Sequence, residues 1–165
     1  MQSNLAKELD ERFRRYKELA AKGTWKSAVI ALAEIFHCAS KLPKAQGAEW
    51  VARVSDEQLS DDAMEQAEAG IKEKIQRLRR ILSIGNRWTG EEILLVVQTR
   101  IEIELLTTYL SEKCPTKPSP SLDDIDEDIV ALSKSKEHQY DFKWAVGMMK
   151  KNWGLPIDSR WLKET

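Results

Sequence analysis

The chain has 165 residues, 42% of them hydrophobic and 32% charged, with 26 basic side chains against 27 acidic ones. A chain of this length buries roughly 68–70% of its unfolded surface, so it needs no disulfide or metal staple. Seven glycines and five prolines are too few for a turn-dense β fold, and the balance of charge excludes a protein that is basic all over.

The first expected helix carries Leu5, Leu9, Phe13, Tyr16 and Ala20 on one face, with Gly23 placed to end it in a left-handed turn. Thr24 then caps a second helix with an apolar face of Trp25, Ala28, Val29, Leu32, Ile35, Phe36 and Ala39, ended by Pro43 and Gly47. So short a connection makes the pair an antiparallel hairpin. Residues 49–54 have no decided type. Ser55 to Gln58 has the form of a capping box for a long helix reaching about residue 84. Its seam of Met64, Ala67, Ile71, Ile75, Leu78 and Leu82 ends at Gly85 and Asn86.

Thr89 to Glu92 forms a second capping box, opening the most apolar helix of the chain over 91–110. Its apolar residues cover most of the circumference, which predicts the central buried helix. Residues 113–121, with Pro115, Pro118 and Pro120, read as a semi-rigid linker. Ser121 is placed to cap a helix with the face Leu122, Ile125, Ile129 and Leu132, whose early acids suit the helix dipole. A last helix groups Tyr140, Trp144, Ala145, Met148 and Met149, and a short turn follows around Arg160 and Trp161.

The expected fold is therefore all-α: a single-domain bundle of five or six helices around the central apolar one. Residues 1–112 form the main bundle, 113–121 the linker, and 122–165 the C-terminal helices docked on the bundle.

Although the total charge is near zero, it is segregated. Lys72, Lys74, Arg77, Arg79, Arg80 and Arg87 face only Glu73 across 70–90, while 121–130 holds five acids and no base. Guanidinium forks and lysines along a helix suit phosphate oxygens, which makes these six a candidate nucleic-acid contact. Lys143, Lys150 and Lys151 join them, because Trp144, Trp153 and Trp161 are interleaved with bases there. Aromatics among bases can stack on splayed nucleobases, and tryptophan also favours protein interfaces.

Asp124 and Asp128 are four apart and could begin a hard-metal pair with Glu102 or Glu104, which would suit a helical carboxylate enzyme. A solvated helix start explains them more simply, and no metal or other cofactor is expected. The string from Tyr16 to Val29, with Gly23, Trp25 and Ala28, resembles a tetratricopeptide unit over about 30 residues, though no second copy follows to build a peptide groove. His138 and Tyr140 are similar to the His-x-Tyr element of HEPN ribonuclease domains, but Ser133 stands where that family has its arginine.

Two cysteines, Cys38 and Cys114, give no disulfide framework and point to a reducing, cytoplasmic setting. The start of the sequence has no apolar signal core, and the longest uncharged apolar run, 93–99, is far below the ~20 residues that span a bilayer, so no membrane partner is expected. The functional expectation is a non-catalytic helical subunit of a larger nucleoprotein complex. Its basic helix faces would meet RNA or DNA backbone and its other surfaces protein subunits. In size and character it is similar to the small helical subunits of RNA-guided effector complexes. The alternative is a protein–protein adaptor or inhibitor, using the helical hairpin and the Trp-bearing C-terminal surface.

Overall fold

The computed structural model describes residues 4–39, 42–84, 88–115, 118–153 and 159–165. Among these residues the regular structure is entirely α-helical. It comprises α1 (Asn4–Ala21), α2 (Trp25–Ala39), α3 (Lys44–Ser55), α4 (Asp61–Leu82), α5 (Gly90–Lys113), α6 (Asp123–Lys134), α7 (Gln139–Trp153) and α8 (Arg160–Glu164). Eight described helices replace the expected five or six, because α3 and α8 form where the sequence pattern is short.

The chain divides into two compact units, one of residues 1–72 with 104–118, the other of 73–103 with 119–165. Two of the boundaries lie inside α4 and α5, so each of these helices lends one end to each unit. The third falls in the Pro-rich stretch.

In the first unit α1 and α2 pack as the expected hairpin. Gly23, at φ 71°, supplies the left-handed residue. The Thr24 N–H reaches the Leu19 carbonyl at 3.0 Å and the Gly23 N–H reaches that of Ala20 at 3.0 Å, which is a complete Schellman closure. Gly23, one of the residues behind the tetratricopeptide likeness, thus has a local role in this turn. Pro43 takes the N-cap of α3, its fixed φ suiting a helix start. Gly47 does not end α2 as expected. It lies within α3, where a Cβ would sit 2.5 Å from the Ala39 carbonyl oxygen, so only glycine lets α3 come this close to the end of α2.

The expected cap at Ser55 is also displaced. Ser55 closes α3, and Ser60 caps α4, its Oγ accepting from the Ala63 N–H at 3.1 Å. Gly85 and Asn86 lie outside the described residues. Lys113, at the end of α5, donates from Nζ to the carbonyls of Ser55 at 2.6 Å and Glu57 at 2.8 Å, placing a cation at the C-terminal end of α3. The Glu57 carboxylate in turn accepts from Tyr16 Oη at 2.9 Å and Lys17 Nζ at 2.6 Å.

The second unit begins with the seam residues Ile75 and Leu78 of α4, both buried. The capping box that opens α5 is present in both directions: Thr89 Oγ1 accepts from the Glu92 N–H at 3.2 Å, and Glu92 Oε2 accepts from the Thr89 N–H at 2.9 Å. Ile93, Val96, Val97, Thr99, Arg100, Ile101 and Ile103 are buried, whereas Leu94, Leu95, Gln98 and Glu102 are half-buried and Glu91 is exposed, so within this unit α5 is covered over a broad face and not, as the sequence pattern predicts, all round. The helix α6 starts after Leu122, not on a Ser121 cap, and buries Ile125, Ile129 and Leu132.

Candidate functional site

The basic residues of α4 have different fates. Lys74 Nζ lies 2.7 Å from Glu102 Oε2 with both side chains largely covered, and Gln98 also donates to Glu102, at 3.2 Å. Arg79 Nε pairs with Asp124 at 3.2 Å, which holds that carboxyl below its usual range. These two cations are spent within the fold. Lys72, Arg77 and Arg80 are exposed and make no ion pair among the described residues. Arg87 lies outside the described residues.

On α7 the arrangement is sharper. Phe142, Ala145 and Met149 are buried and fix the inner face. At 100° per residue, Tyr140, Trp144, Gly147 and Lys151 fall opposite it, with spacings of four, three and four. Tyr140 is 80% exposed and Trp144 45%, which makes them two of the three exposed large hydrophobic side chains among the described residues. Lys143 and Lys150 are exposed along one flank of this stripe. The position of a Cβ at Gly147 has nothing within 4 Å, so the stripe is open at its middle. The one acid on α7, Asp141, lies off the stripe, half-buried beside Gly90. None of the three lysines makes an ion pair among the described residues.

The structure thus joins Lys143, Lys150, Lys151 and Trp144 on one surface and adds Tyr140, which the sequence pattern assigned to the apolar face. Trp161, expected at a protein interface, is 2% exposed: it packs inside its own unit, with the Arg100 guanidinium 5.5 Å from its ring centroid. The side chain of Trp153 lies outside the described residues.

One cluster went unread in the sequence. Arg100, 7% exposed, makes a bidentate pair with Asp126, at 2.6 Å from Nε and 3.0 Å from Nη2. The available signal was a lone cation in the apolar stretch 93–110, which in a buried helix demands a partner. The cluster is structural, since both charges are consumed in the pair.

The described residues contain no group of three or more histidine, cysteine, aspartate or glutamate side chains able to hold a metal, and Asp124 is engaged with Arg79. No helix is long and apolar enough to cross a membrane among the described residues. His138 is buried, its ring edge-on to Trp88 at 5.2 Å, beside a cavity of about 430 Å³ lined also by Leu132 and Asp128. Tyr140, two residues on, is exposed. No family model matches the sequence, and no curated protein or solved structure matches it.

Proposed function

We propose that this protein is a non-catalytic helical binding module that contacts a nucleic-acid backbone, working as a subunit of a larger nucleoprotein assembly. The observation that carries this reading is the outer stripe of α7, where Lys143, Lys150 and Lys151 stand exposed, with no ion pair among the described residues, beside exposed Tyr140 and Trp144. Exposed lysines can neutralise phosphates, and binding gains from the counterions that the nucleic acid then releases. Arg77 and Arg80 on α4 offer a second exposed basic row.

The adaptor reading relied on the helical hairpin together with a C-terminal surface bearing Trp144, Trp153 and Trp161. With Trp161 buried, its C-terminal surface keeps Trp144 alone among the tryptophans whose side chains are described.

Fluorescence anisotropy with labelled RNA and DNA across a salt series tests the proposal. Binding is expected at low salt and should weaken steeply as salt rises. Reversing Lys143, Lys150 and Lys151 to Glu should lower the slope of log K against log salt by at least about 2, since each phosphate that a lysine neutralises adds roughly 0.7–0.9 to that slope. Reversing Arg77 and Arg80 separately reports on the α4 row. If neither RNA nor DNA is retained at low salt, the reading fails.

A further inference from the structure

The stripe on α7 contains more than a phosphate contact needs. Lysines alone serve a duplex, whose bases are stacked inward and whose outer surface is sugar and phosphate. Here two large aromatic rings are exposed on the same face, at positions four apart. Covering such a ring removes apolar area from water and is favourable, and a nucleobase can cover it only when it is out of a duplex.

Building on the nucleic-acid reading above, we infer that the ligand of α7 is single-stranded, with Tyr140 and Trp144 each stacking a splayed base while Lys143, Lys150 and Lys151 hold the backbone alongside. Three features agree with this. Residues four apart on a helix are separated by about 6 Å along the axis. Bases in an unbroken stack rise by about 3.4 Å. The two rings therefore do not match one continuous stack, but each can take its own base from an extended strand. The lysines lie along one flank and one end of the ring pair, as a strand running beside the helix requires. Gly147, between Trp144 and Lys150, leaves the helix surface bare where the backbone would cross it, with no atom within 4 Å of a Cβ built there. The charges on this face are lysines, point charges that bind phosphate without a fixed planar geometry, so binding should tolerate many sequences.

The test compares three labelled probes against the full chain at low salt, a short single strand, its duplex and the same strand made abasic, and repeats the single strand and the duplex with Trp144→Ala. The intact single strand should bind more tightly than the duplex and the abasic strand. Trp144→Ala should weaken single-strand binding by roughly five- to 150-fold while leaving duplex binding unchanged, and Trp144→Phe should restore most of the loss. Trp144 is partly exposed, so circular dichroism of Trp144→Ala should match the parent chain. Duplex binding as tight as single-strand binding overturns the inference, as does an abasic strand that binds equally well, or single-strand affinity indifferent to Trp144→Ala. All three leave the broader nucleic-acid reading standing. Absence of binding to every probe overturns both.

Discussion

Arg100 shows how a single residue can be conspicuous in a sequence while its meaning stays hidden. A guanidinium inside an otherwise apolar helix is visible at once, and burial makes a partner obligatory. The partner was not legible, because Asp126 is one of five acids in a run and nothing local separates it from Asp124 or Asp128. The fold makes the distinction: Asp126 is directed at Arg100, whereas Asp124 meets the exposed Arg79. These pairs should differ in weight. Asp126→Ala leaves Arg100 buried without its carboxylate and is expected to cost about 3–5 kcal/mol. Asp124→Ala breaks an exposed pair that solvent screens and should cost far less. Urea unfolding of the two variants checks the contrast, and near-equal losses would contradict the burial assigned to Arg100.

At the scale of an element, α7 was the helix whose orientation the sequence left open. It carries two apolar stripes, one of Tyr140, Trp144 and Met148 and one of Phe142, Ala145 and Met149, and periodicity alone gives either stripe a claim to the inside. Grouping Trp144 with Ala145 and Met149 merged them. The structure buries the second stripe and leaves Tyr140 and Trp144 outside, although both are larger than the alanine that is buried. By contrast, the start of α5 was fully legible, because a capping box depends only on residues three apart and on no distant partner. The caps at Ser55 and Ser121 failed for a related reason: a serine near a helix start is common, and only the position of the first helical turn decides which one is used. With α7 so oriented, Phe142→Ala should destabilise by about 3–5 kcal/mol, and Trp144→Ala should shift stability by within about 0.5 kcal/mol. Thermal melts of both variants test this ordering, and a reversed ordering would turn the helix over.

For the whole molecule, the all-helical character of the described residues was legible in the composition and the heptad-like spacing. The division into two units was not, because each unit is assembled from separated stretches of chain that share α4 and α5, and local patterns carry no record of such pairing. The first unit also concentrates buried titratable groups. Burial raises the thiol of Cys38 above its usual 9.0, against a smaller opposing effect from Arg12. Burial raises the phenols of Tyr16 and Tyr109 above their usual 10.0, helped by the charge of Glu57. All three keep their protons more tightly when folded than when unfolded. The unfolded chain therefore releases protons first as pH rises, and the stability these groups contribute, complete below pH 9, is lost progressively above it. Lys113 acts in the opposite direction, since burial lowers its pKa and its share of stability grows as pH rises toward 10.5. Three groups against one set the sign. The urea midpoint should fall between about pH 8 and about pH 11. Tyr109→Phe should flatten that fall at little cost near neutrality, because the Tyr109 hydroxyl is buried with no hydrogen-bond partner among the described residues. A midpoint unchanged across this interval, or a Tyr109→Phe chain as alkali-sensitive as its parent, would show that the phenols ionise as readily folded as unfolded.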